Sequence, residues 1–241
     1  MGACRAVRAI GTNALPTILN RFRASDSGLK GKMMGLVSKQ AFIRVHFTSA
    51  ATLHERAVTA FSILGPSAKP AIPDMVELLN REDTCKQAAR ALLWVDPYDV
   101  SPLIKALTNK SARIRIEVAA TLGDIKYQSD IIVPALVKCL ADKDIDVQEI
   151  AIFSLGRKEP ALVTSPVIAS LYDLDRESRE AAVWLLGTFG KGAKAAVPVL
   201  LKLAQENDPG LHDAAVIALR RIDPTNAALA SNPMTSMDSS D

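Results

Sequence analysis

DKDIDVQEIAIFSLG (residues 142–156) returns in altered form as DLDRESREAAVWLLG (residues 173–187). Both stretches open on acidic residues and close on Leu-Gly. A polar or basic residue stands eight positions before the glycine, Gln148 or Arg179, and an alanine five before it, Ala151 or Ala182. Anchoring on that glycine brings further copies into line. Gly123 closes ARIRIEVAATLG, Gly65 closes ERAVTAFSILG and Gly11 closes ACRAVRAIG. Trp94 and Arg220 take the place in CKQAARALLW and LHDAAVIALR. Each closure but the last is followed by a proline in a new apolar stretch, at 16, 73, 102, 134, 166 and 198. The last four prolines are 32 apart and the step before them is 29. Self-similarity at a fixed period is the signature of a repeat architecture.

Each copy reads as two helices. Proline is tolerated in a first helical turn, where its missing N–H would be unpaired anyway, so it is expected to open the first helix. In VPALVKCL, Leu136 and Leu140 then share one stripe. In the second helix Val147, Ile150, Ala151, Ser154 and Leu155 form one face, with Ile152 and Phe153 on its flank. A helix apolar on face and flanks must be covered on several sides, and stacking against neighbouring copies does so. The expected fold is an all-α solenoid of stacked antiparallel helix pairs, about six units with a period near 32. Residues 1–16 read as a half unit, 17–60 as an irregular unit with an insertion and 61–224 as regular units. TNAALASNPMTSMDSSD (225–241), poor in core residues, reads as a disordered tail.

Proline in the first helix, aspartate in the intra-repeat turn, a basic residue one turn into the second helix and the Leu-Gly ending resemble HEAT repeats. The likeness is to the bacterial type related to phycobilisome-lyase HEAT-like units, and it covers residues 61–224 and, as a half unit, 1–16. The resemblance implies a right-handed superhelix. It also implies a ladder of turn acids and helix bases along the stack, here Glu82 with Lys86, Ser111 with Arg115, Asp144 with Gln148, Asp175 with Arg179 and Asp208 with His212. Ser111, Gln148 and His212 depart from that pattern, so a weakened ladder is expected at their units. The acid is read as a helix N-cap and as the i,i+4 partner of the base.

Charge is uneven. Residues 1–60 carry nine Lys/Arg against Asp26 and Glu55, a net of +7, while the remaining residues sum to −4. Cys4, Cys85 and Cys139 have no metal-ligand spacing and read as ordinary thiols of a reducing compartment. The opening MGACRAVRAIG lacks a signal-peptide core, which points to a cytoplasmic chain. Arg5–Ile10 forms a terminal cap or follows a segment absent from this chain. In the long interval from Pro16 to Pro73, SDSGLKGKMMGLVSKQ reads as a helix begun by Ser25 or Asp26, and AFIRVHFTSAAT as an extended connector.

No catalytic constellation is legible, and no cofactor or metal is expected. His46, His54 and His212 read as solvated or turn-facing. His54-Glu55 is similar to the His-Glu pairs of a HEAT-fold hydroxylase, which needs several such pairs on facing repeats. GTFGKGAK (187–194) lacks phosphate-loop spacing and falls in an inter-repeat loop. Phe153 and Trp184, both three before the glycine, read as packing between repeats.

The most polar row of the second helices lies seven before the glycine position: Gln87, Ile116, Glu149, Glu180 and Asp213. On a concave face this strip suits a basic or amphipathic peptide. The expected function is a non-enzymatic protein-binding scaffold. The rival is nucleic acid, or an anionic surface, held by Arg21, Arg23, Lys30, Lys32, Lys39 and Arg44. A lyase-like enzyme or maturation factor ranks third.

Overall fold

Proline and side-chain caps decide where the helices start. A computed structural model describes residues 2–26 and 48–230. The chain runs through α1 (Gly2–Ile10), α2 (Leu15–Phe22), α3 (Ala50–Leu64), α4 (Ile72–Leu79) and α5 (Cys85–Val95). It continues through α6 (Ser101–Ala106), α7 (Ala112–Asp124), α8 (Ser129–Lys138), α9 (Ile145–Gly156) and α10 (Pro160–Ser170). It ends in α11 (Arg176–Thr188), α12 (Val197–Leu203), α13 (Pro209–Ile222) and α14 (Pro224–Ala230). No strand occurs among the described residues, and the fold class is an all-α solenoid.

Pro16, Pro73, Pro102 and Pro198 stand in the first two positions of α2, α4, α6 and α12. Pro134 and Pro166 depart from that rule. They lie inside α8 and α10, which begin at Ser129 and Pro160. Three second helices are capped by side chains as follows. Ser49 accepts from Thr52 N–H at 3.2 Å, Asp175 from Ser178 N–H at 2.8 Å and Asp208 from Leu211 N–H at 3.2 Å, each satisfying a donor that the helix leaves open.

Of the extended connector, Ala50–Thr52 is instead the first turn of α3; residues 41–47 lie outside the described residues, as does the body of the helix expected after Asp26. The Asp26 carboxylate accepts from Ala50 N–H at 3.0 Å. The start of the expected tail is also helical. α14 follows α13 and buries Ala227, while residues 231–241 lie outside the described residues.

The chain forms two compact units, residues 1–118 and 119–241. In the first, α3 packs on α1, α2 and α5, and α4 packs on α5. Phe22, Phe61, Met75, Leu78 and Leu79 are wholly enclosed there. In the second, α8 lies beside α10, α9 beside α11 and α11 beside α13, so first and second helices make separate layers. Leu136, Leu140, Leu155, Leu186, Leu200 and Leu219 fill the space, each worth about 1.5–3 kcal/mol when enclosed.

At two of its positions the recurring glycine marks the close approach of neighbouring second helices. A Cβ on Gly123 would lie 2.5 Å from Ser154 Oγ, and one on Gly187 would lie 3.0 Å from Ala218 Cα. Ser154 and Ala218 both stand two before their own closing position, 156 and 220. At Gly156 the corresponding neighbour is Leu185 Cδ1 at an ordinary 3.7 Å.

The ladder takes a different form from the expected i,i+4 pairs. Lys86 Nζ reaches Glu117 at 3.8 Å and Arg179 Nη2 reaches Glu206 at 2.8 Å. The other members of that row close the turn behind them. Arg115 donates to the carbonyls of Asn109 and Lys110 at 2.8 and 3.2 Å, Gln148 Nε2 to Asp142 O at 2.6 Å, and His212 Nδ1 meets Ala204 O at 2.6 Å. Gln148 and His212 therefore do the work of Arg115 rather than weaken their units. Further cross-repeat bonds run from Ser111 Oγ to Glu82 at 2.6 Å and from Arg176 Nε to Asp208 at 2.7 Å.

Candidate functional site

The second helices α9, α11 and α13 of residues 119–241 present one stripe each to solvent. Glu149 and Asp213 are exposed on α9 and α13. Glu180 on α11 is half-buried, with its Oε1 3.2 Å from Arg176 Nη2. Arg176 also binds Asp208, which holds the Asp208 carboxyl below its usual range and raises the guanidinium. Glu180 thus belongs to a fixed network, whereas Glu149 and Asp213 stand open. In residues 1–118, Gln87 is half-buried and donates to Glu55 at 3.3 Å, and Ile116 is half-buried.

Four residues after each acid lies an apolar side chain, and at Phe153 and Trp184 packing was expected to hide it. Phe153, Trp184 and Ile217 are 60%, 53% and 47% exposed. Residues four apart share a helix face, so acid and apolar group stand one turn apart on the same stripe. That spacing, Glu149 with Phe153, Glu180 with Trp184 and Asp213 with Ile217, was the signal available in the sequence. The alanine and leucine positions of each copy take the covered side.

Two shallow grooves follow. Between α9 and α11, Ile145, Glu149 and Phe153 face Glu177, Ala181 and Trp184 across about 470 Å³. Between α11 and α13, Trp184, Glu177 and Glu180 face Ala214, Ile217 and Arg221 across about 450 Å³. Ala181 and Glu177 line both, and Trp184 is the ridge between them. Arg157 lies over the Phe153 ring, 5.5 Å from its centroid, and pairs with Asp124 at 2.5 Å.

Of the rival cationic set, Arg21 and Arg23 fall among the described residues. Arg21 is exposed, and Arg23 is held by Asp74 and by Glu77 at 3.6 Å; Lys30, Lys32, Lys39 and Arg44 lie outside the described residues. His54 faces a turn, buried against Phe22 with Nε2 2.8 Å from Ala24 O, and His46 lies outside the described residues. Gly190–Ala196 is a short 3-10 segment joining α11 to α12. Cys85 and Cys139 are buried thiols outside any disulfide, and burial, with the charge of Glu117, raises the Cys85 thiol. No helix among the described residues is long and apolar enough to cross a membrane.

The family model for HEAT repeats matches residues 72–156 and 164–231, together more than half of the chain. The chain belongs to the HEAT-repeat family. The HEAT array is also similar to a designed armadillo repeat protein in complex with peptide (KR)4, at 18% identity over 87% of this chain and 99% of that one, with a TM-score of 0.42. It is similar to a computationally designed armadillo repeat protein for modular peptide recognition, at 19% identity, 87% and 100% coverage and a TM-score of 0.42. No curated protein matches it. HEAT repeats in general build protein-binding scaffolds.

Proposed function

We propose that this HEAT protein is a non-enzymatic scaffold whose α9–α11–α13 face receives a basic, amphipathic segment of a partner protein. The exposure of Trp184 between two grooves carries the reading. A large ring flanked by Phe153 and Ile217 is the kind of anchor that dominates binding energy at interfaces. Glu149 and Glu177, which line the grooves, and Asp213, one turn from Ile217 on α13, favour lysine or arginine on the incoming segment, through steering and register more than raw affinity. A helix laid into a groove, apolar face down and basic face toward the acids, satisfies both features.

The test is fluorescence anisotropy of a labelled basic amphipathic helix of about 16 residues, built from Leu and Lys, titrated with the full chain. Trp184→Ala is expected to weaken it about 30-fold, as for an interface hot spot. Glu149→Lys combined with Asp213→Lys is expected to weaken it severalfold at low salt and much less at high salt. No binding, or equal binding to Trp184→Ala, overturns the reading.

A further inference from the structure

A second apolar depression lies within residues 1–118. The helices α1, α2 and α3 enclose about 670 Å³, lined by Val7, Ile10, Ile18 and Ile63, with Arg21 and Arg56 on the wall. Ile10 is 51% exposed there. Charge at this place is one-sided. Residues 1–60 contain two acids, Asp26 and Glu55. Asp26 accepts from the α3 backbone, and Glu55 holds Arg90 at 3.0 Å and Gln87 at 3.3 Å. Arg23 is neutralised by Asp74 and Glu77. Among the described residues neither Arg21 nor Arg56 has an acidic partner, and no carboxylate lines the depression.

We infer that this depression receives an acidic amphipathic helix of a partner protein, leucine-like anchors on its aliphatic floor and carboxylates on Arg21 and Arg56. Guanidinium groups bind carboxylates through paired N–H bonds, and two of them beside an apolar floor complement a helix that carries both chemistries on one face. Nucleic acid fits less well. The floor offers no aromatic ring on which a base could stack, and two lining arginines would release few counterions from a phosphate backbone. The inference stands independently of what binds α9–α11–α13.

The experiment is anisotropy of a labelled helix of about 16 residues, built from Leu, Ala and Glu, titrated with the full chain. The same composition scrambled to remove the apolar stripe and a single-stranded oligonucleotide are run alongside. Arg21→Glu with Arg56→Glu, and separately Ile10→Asp, are each expected to weaken the amphipathic peptide about tenfold or more. Trp184→Ala is expected to leave it unchanged. All substituted side chains are exposed, and circular dichroism monitors the helices. Absence of peptide binding, equal binding of the scrambled peptide, or indifference to both variants overturns the inference. Oligonucleotide binding that Arg21→Glu with Arg56→Glu abolishes, without peptide binding, replaces it with the nucleic-acid reading.

Discussion

Lys158 is the residue least expected from the sequence. It stands between α9 and α10, buried, with Nζ donating to Leu122 O at 2.9 Å and to Ile125 O. Leu122 belongs to the last turn of α7 and Ile125 follows it, where carbonyls lack the regular intrahelical partner. Burial, then the charges of Lys126 and Arg157, pulls its pKa from 10.5 to about 8, with Asp124 opposing. Between about 8 and 10.5 the unfolded chain holds a proton that the folded chain has released, so stability rises with pH across that window. Lys158→Met is expected to lose that rise, a difference of at most about 3 kcal/mol, read from urea midpoints at pH 7.5 and pH 10. Parallel slopes in the two proteins refute the assignment. Nothing in the periodicity announced Lys158, because its partners are backbone atoms more than thirty residues earlier in the chain.

At the scale of the element, the Leu-Gly endings at Gly123 and Gly187 coincide with a close cross-helix contact. Gly123→Ala and Gly187→Ala push a methyl group into Ser154 and Ala218 and are expected to cost about 1–3 kcal/mol, the usual penalty of overpacking. Gly156→Ala meets only Leu185 Cδ1 at 3.7 Å and is expected to be neutral, or to gain up to about 1 kcal/mol from helix propensity. Chemical denaturation separates the three, and equal effects would show that propensity alone governs the position. Proline marked the helix start to within a turn at Pro16, Pro73, Pro102 and Pro198. It stands at helix starts four times, and lies inside α8 and α10 because Ser129 and Pro160 had already begun those helices.

For the whole molecule, stability in a repeat array is a sum of neighbour interfaces, so opening is expected to be local. Cys85 and Cys139 are buried in different compact units and report on each through alkylation. Gly187→Ala is expected to speed labelling of Cys139 more than that of Cys85, measured by mass spectrometry of the two peptides. Equal acceleration would indicate one global opening instead.

The repeat period, the all-α class, the helix pairs from Pro73 onward and the caps at Asp175 and Asp208 were determined by the sequence alone. Each follows from local chemistry: a missing N–H, a short carboxylate at a helix start, an apolar spacing near 3.6. Tertiary structure decided the rest. It turned Phe153, Trp184 and Ile217 outward, sent Arg176 to Asp208 and Arg179 to Glu206, and drew Gln148 and His212 onto turn carbonyls. A long side chain's partner, and the exposure of a flank, depend on how closely the neighbouring helix approaches. That distance is set at Gly123 and Gly187 by atoms some thirty residues away along the chain.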